Sequence, residues 1–245
     1  MLVQPFGFLG QQGPPEIVPG AIVYYDANLS TDFTDFSGNG YDGTLVGTAT
    51  WTSDAYGKWW SFGYGTTADT HYVNTGYTPT SNTSLTIVCV TYFPSSIGSG
   101  NYGSIVNFSG PNATNDNWAR MSVAGPGASF YNILYIDDNE NDPLFSYSPS
   151  VLNIPWMITL SYDDVAHETN HWVNNNKYAT QPSDAVWLAS QQLAVHKWPS
   201  SIAGQTKTPF LCGAILYYPG LVFTQTEVDQ NMVYFKQYYN LRDDA

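Results

Sequence analysis

Along most of this chain apolar and aromatic residues gather in short stretches of four to nine positions, bounded by polar clusters of Gly, Pro, Asn, Asp and Ser. Short runs of strand-favouring residues between such turn clusters predict β-strands. The pattern predicts strands at Ile22 to Tyr25, Lys58 to Phe62, His71 to Asn74, Leu85 to Phe93, Gly103 to Phe108 and Ala119 to Val123. It continues at Tyr131 to Ile136, Trp156 to Tyr162, Asn170 to Val173 and Phe210 to Tyr218. No alternation of strand and helix patterns is present, so the expected sheet is antiparallel, and no internal repeat is visible. Helical periodicity occurs near the C-terminus, where Val228, Met232, Phe235 and Tyr239 fall on one face. Thr224-Gln225-Thr226-Glu227 precedes them as a capping box, which predicts a helix from about Gln225 to about Tyr238.

Residues 1–20 break the pattern. They hold four Pro and four Gly with no usable period, which predicts an extended arm, while residues 21–245 form the folded sandwich. The arm carries Phe6, Phe8, Leu9, Ile17 and Val18, more apolar surface than a solvated linker needs. These residues are expected to lie on a neighbouring subunit, either another protein or a second copy, so a homo-oligomer is expected.

Composition agrees with many short strands. Aromatic residues make up 16 % of the 245 residues and charged residues 11 %, which suits tight turns and sheet packing better than long salt-bridged helices. Seven Lys and Arg against twenty Asp and Glu give a net charge of -13. That charge repels nucleic-acid phosphate and anionic membrane surfaces, so neither is an expected partner. The first basic residue is Lys58, so no export signal is expected, and no apolar run reaches the length of a membrane span. Cys89 and Cys212 lie in apolar runs and read as buried free thiols.

Four ordered segments carry a resemblance. Gly20-Ala21-Ile22-Val23-Tyr24-Tyr25-Asp26-Ala27 is followed by Asp35-Phe36-Ser37-Gly38-Asn39-Gly40-Tyr41-Asp42-Gly43-Thr44-Leu45. Trp156 to Tyr162 with His171-Trp172-Val173-Asn174-Asn175 comes next, then Phe210 to Tyr218 with the terminal helix. In that order they resemble the concanavalin A-like lectin/glucanase superfamily in its laminin-G-like branch. The resemblance implies an all-β antiparallel sandwich of the jelly-roll type with one short C-terminal helix, and a central hairpin in which Asn175-Asn176 stands where relatives carry Asn-Gly. The flavour resembles domains of tailed-bacteriophage virion proteins. It implies a non-enzymatic head-surface decoration or small appendage protein, made in the host cytoplasm, that meets other virion subunits through its arm and host-surface glycan through its sandwich. A free-standing lectin module and a glycan hydrolase are the rival readings.

Several constellations bear on that choice. His167-Glu168-Thr169-Asn170-His171 spells the zincin motif, which needs a helix to bring both imidazoles to one Zn²⁺. Turn signals on both sides place it in a hairpin, where the two are about 13 Å apart, so no zinc is expected. Glycoside hydrolysis needs two placed carboxylates; Glu16, Glu140, Glu168 and Glu227 are the only glutamates, and none forms a glucanase pattern. Asp137, Asp138, Glu140 and Asp142 crowd a short stretch, either as a solvated acidic turn or as a Ca²⁺ loop. Asp26, Asp35 and Asp69 are weaker sites of the same kind, and no other cofactor is expected. Trp59, Trp60, Trp156 and Trp172 read as core. Trp51, Trp118, Trp187, Trp198 and Tyr102 lie nearer loops, where an aromatic face can stack on a sugar ring. Of these, Tyr102, Trp118, Trp187 and Trp198 are the expected ligand-binding set, with Ala185 to Pro199 as a long binding loop.

Overall fold

The computed structural model describes residues 16–62, 71–81, 83–92, 101–109, 120–124, 129–133, 144–147, 154–182, 192–195, 206–207 and 211–243. The chain forms strands β1 (Val23–Asp26), β2 (Thr44–Val46), β3 (Ala49–Asp54), β4 (Gly57–Phe62), β5 (Tyr72–Asn74) and β6 (Leu85–Tyr92). They continue as β7 (Asn101–Ser109), β8 (Arg120–Ala124), β9 (Ser129–Ile133), β10 (Leu144–Tyr147) and β11 (Pro155–Asp163). The chain closes with β12 (Glu168–Val173), β13 (Asn176–Pro182), β14 (Gln192–Val195), β15 (Thr206–Lys207), β16 (Leu211–Pro219) and helix α1 (Gln225–Phe235).

These strands build two sheets. Sheet A runs β13-β12-β11-β6-β16-β4-β3, with β1 beside β16; sheet B runs β10-β9-β8-β7-β14-β5-β2, with β15 beside β7. Every described pairing is antiparallel except the two-residue pairing of β15 with β7. The result is the antiparallel sandwich with one short C-terminal helix that the segment order implies.

Between the sheets lie Tyr25, Trp60, Ile87, Cys89, Ile158, Leu160, Cys212 and Ile215 from sheet A, facing Val73, Val106, Leu193 and Val195 from sheet B. The opposite face of sheet A is buried as well. Tyr24, Trp59, Val88, Val90, Met157, Trp172, Leu216 and Tyr218 lie there beneath Val228, Met232 and Phe235 of α1 and the following Tyr239 and Leu241. A sheet covered on both faces needs apolar residues at consecutive positions. That is why β6, β11 and β16 read as unbroken runs and are buried almost end to end.

Helix α1 is shorter than the periodicity predicts: its regular hydrogen bonding ends at Phe235, and residues 236–238 form a turn. The apolar stripe is nevertheless used whole, with Val228, Met232, Phe235 and Tyr239 all buried. Glu227 reaches back to accept from the N–H and hydroxyl of Thr224, as the capping sequence requires.

Two placements differ from expectation. The β12–β13 loop is Asn174–Asn175, with Val173 paired to Asn176, one residue earlier than the expected Asn175-Asn176 turn. Asn174 takes the left-handed conformation that a tight turn demands, at φ 53°. Its amide explains why: Asn174 Oδ1 accepts from Met157 N–H and its Nδ2 donates to Arg242 carbonyl, fixing the turn to both β11 and the C-terminal segment. Second, Gln192–Val195, inside the expected loop Ala185 to Pro199, is strand β14, paired on both sides and sending Leu193 and Val195 into the core.

Candidate functional site

Helix α1 and the residues after it cover the middle of the outer face of sheet A, on β6, β11, β12 and β16, while β13 and β3 at its margins are exposed. Sheet B carries the connections that hold the expected aromatic residues. Tyr102 lies on β7, while Trp118, Trp187 and Trp198 lie outside the described residues, in the segments β7–β8, β13–β14 and β14–β15. The strand register fixes where those segments attach. Ser109, where the Trp118 segment leaves β7, pairs with Gln192, where the Trp187 segment enters β14. Arg120, where the Trp118 segment returns, pairs with Asn107. Trp118 and Trp187 are therefore tethered at one end of sheet B.

The other two expected residues are tethered elsewhere. Tyr102 pairs with Ala124 and Lys207 at the start of β7, and the segment that holds Trp198 joins Val195, paired with Val106, to Thr206, paired with Asn101. Asn101 and Ser109 are eight steps apart, about 26 Å at the usual strand rise. The register thus fixes where the segments bearing these residues attach, at Ser109, Arg120, Gln192 and Val195, while Trp118, Trp187 and Trp198 themselves lie outside the described residues. Position along the sequence could not reveal this, because the pairing of β14 with β7 sets it.

The acidic run Asp137, Asp138, Glu140 and Asp142 lies outside the described residues, between the paired ends of β9 and β10, where Ile133 is opposite Leu144. Among the described residues no cluster of three or more metal-binding side chains occurs. Asp26 and Asp35 are engaged internally and are not ion ligands. Asp35 Oδ1 accepts from the N–H groups of Tyr24 and Ser37, and Oδ2 accepts from the Ser37 hydroxyl and Tyr41 N–H. That carboxylate ties the Phe36–Gly43 loop to β1. Asp69 lies outside the described residues.

Asp26 is fully buried at the end of β1. Its Oδ1 accepts from Tyr239 hydroxyl and Asn28 N–H, and its Oδ2 accepts from Tyr24 hydroxyl, which also bonds Tyr234 hydroxyl. Burial pushes the Asp26 carboxyl above its usual range despite these donors. Burial likewise raises Tyr24 and Tyr239, both further raised by the Asp26 charge. Tyr239 reaches Asp26 because Gly213 and Gly57 leave room for its ring: a Cβ at Gly213 would stand 2.4 Å from Tyr239 Cε1. Gly213 also sits where the β6–β16 register shifts, between Cys212 and Ala214. The cluster is thus a fastening between β1, β16 and the C-terminal segment, buried away from any substrate.

His167 and His171 do not form a metal site. His167 closes the β11–β12 turn, exposed, with φ 53°, whereas His171 is fully buried in β12 opposite Leu160. Burial pushes His171 down to about 4, so it is neutral at physiological pH. Trp59, Trp60, Trp156 and Trp172 are core residues, as expected.

Of the expected arm, residues 16–20 are described. Ile17 and Val18 pack on the domain's own outer core: Val18 N–H donates to Asn231, Tyr218 hydroxyl donates to the Val18 carbonyl, and Gln230 donates to the Glu16 carbonyl. Val18 is thus buried by α1 and β16 of its own chain, with Ile17 partly buried beside it. Phe6, Phe8 and Leu9 lie outside the described residues. No described helix is long and apolar enough to cross a membrane.

Together these features define the chain as an antiparallel β-sandwich with one short C-terminal helix. No protein-family model matches the sequence, and no curated protein sequence matches it. Solved structures do. Domain 4 of AbnA, an extracellular arabinanase of Geobacillus stearothermophilus solved in complex with arabinotriose, has a TM-score of 0.57 at 13 % identity, over 87 % of this chain and 98 % of that domain. The botulinum neurotoxin type G receptor-binding domain has a TM-score of 0.61 at 14 % identity, over 87 % of this chain and 51 % of that one. The binding domain of botulinum neurotoxin DC in complex with rat synaptotagmin II gives 0.64 at 13 % identity, over 87 % and 52 %. The chain spans about half the length of these neurotoxin domains and nearly all of the arabinanase domain.

Proposed function

We propose that this chain is a carbohydrate-binding β-sandwich without a catalytic centre, taking glycan at the end of sheet B where the Trp118 and Trp187 segments are tethered. The observation that carries the reading is the pairing of Ser109 with Gln192, which brings two tryptophan-bearing connections to one end of the sheet. Aromatic faces suit the apolar faces of sugar rings. The likeness to a complete arabinanase domain solved with arabinotriose supports it. Burial of Asp26, the engagement of Asp35 and the separation of His167 from His171 remove three sets of groups that hydrolysis could use.

The module's setting, a virion surface on which it meets host glycan and other particle subunits, rests on the sequence resemblance; mass spectrometry of purified phage particles tests it. Binding is tested by presenting the full chain to a glycan array. Binding of a defined glycan class is expected, weakened roughly tenfold or more by Trp118→Ala or Trp187→Ala. Binding untouched by either substitution would move the site elsewhere, and no binding to any glycan would end the reading.

A further inference from the structure

A sheet edge presents unpaired N–H and C=O groups, and proteins that stay monomeric guard such edges with Lys, Pro, bulges, very short strands or covering loops. The described edges of this sandwich are guarded, with one exception. In sheet A, β13 carries Lys177, ends on Pro182 and faces a register shift against β12 between His171 and Trp172. The outer edge of β1 is covered, since Tyr24 N–H donates to Asp35 and Tyr24 carbonyl accepts from Phe36 N–H. In sheet B, β2 is only three residues long, and Pro143 and Pro149 flank β10 in the sequence.

Among the described residues, strand β3 has none of these devices. It runs for six residues, Ala49-Thr50-Trp51-Thr52-Ser53-Asp54, pairs in the described structure with β4 alone, and contains neither Pro, Lys nor a bulge. Its centre is rich in the residue types that favour strand pairing. Trp51 is 39 % exposed, with its indole N–H committed to the Ala27 carbonyl and the Lys58 ammonium 5.6 Å from its ring centroid, so the rest of the ring is the apolar surface it offers.

We infer that β3 is the interface through which two copies of this chain form a two-fold dimer, edge to edge, continuing sheet A from one protomer into the next. A two-fold interface must be self-complementary, and the β3 sequence is. Antiparallel pairing centred on Trp51 sets Trp51 against the partner's Trp51, and Thr50 against the partner's Thr52. Asp54 then lies against the partner's Thr48, so the one carboxylate of the strand meets no like charge. For a chain of net charge -13, an edge that brings copies together without opposing carboxylates is the one that repulsion spares.

The test is the mass of the full chain in solution by light scattering over a range of concentration. Twice the 27.1 kDa chain mass is expected for the wild type, and the single chain mass for Thr50→Lys with an unchanged thermal melt. A wild type that is monomeric throughout, or a folded Thr50→Lys protein that stays dimeric, overturns the inference. Should Thr50→Lys fail to fold, hydrogen exchange on the wild type decides: amides of residues 49–54 are expected to exchange more slowly as concentration rises, and concentration-independent exchange there overturns it.

Discussion

Asp26 and His171 are both fully buried, and their charges act on stability in opposite directions. The folded state raises the Asp26 carboxyl, so it holds the proton more tightly than the unfolded chain does. Stability from this group is present at low pH and is lost as pH rises from about 4, the unfolded value, through the raised folded value. His171 is depressed to about 4; its contribution is present above about 6.5 and is lost as pH falls toward 4, up to about 3 kcal/mol. Denaturant melts at pH 7 and pH 4.5 should therefore show an acid loss that His171→Gln removes. Asp26→Ala should cost about 3 kcal/mol at neutral pH, because the hydroxyls of Tyr24 and Tyr239 lose a buried acceptor. A cost below about 1 kcal/mol would mean that Asp26 does not fasten the C-terminal segment.

Gly213 belongs to the same fastening. Gly213→Ala should lower stability by roughly 1 to 3 kcal/mol through overpacking against Tyr239, measured by thermal melt, with the effect shrinking in a Tyr239→Ala background. None of this was legible in the sequence. Asp26 read as a weak ion ligand and Gly213 as one more glycine, because their partners lie 213 residues and 26 residues away in the chain.

At the scale of elements, the strands that bury both faces were the most legible, since β6, β11 and β16 need apolar residues at every position. The helix was legible from its stripe and its cap. Short exposed strands were not: β2 and β3 bury little, so no apolar face marks them, and Gly43, Gly47 and Gly57 around them read as turns. Strand β14 was hidden in a segment rich in aromatic residues, where only its two-sided pairing reveals it. The boundary of the arm was displaced because two apolar residues beside Pro19 carry no period, although Ile17 and Val18 are part of the outer core. A chain beginning at Gly20 should consequently melt earlier than one beginning at Glu16, by about 2 kcal/mol. It loses the buried Val18 and leaves Asn231 and Tyr218 without their backbone partners. Equal melting of the two truncations would return residues 16–19 to the arm.

For the molecule as a whole, layering decides where function can be. Sheet A packs on sheet B with one face and carries α1 over the middle of the other, so the proposed glycan site falls to the rim of sheet B and the proposed dimer contact to the edge at β3. The sequence revealed which residue types could meet a sugar but not their grouping, since Trp118 and Trp187 are 69 positions apart and are linked only by the register of β7 and β14. The account's central claim, glycan bound without cleavage, is tested most directly by calorimetric titration of the full chain with an oligosaccharide selected on the array, followed by chromatography of the recovered sugar. Saturable heat with the oligosaccharide returned intact is predicted; absence of heat, or recovery of shortened products, would contradict it.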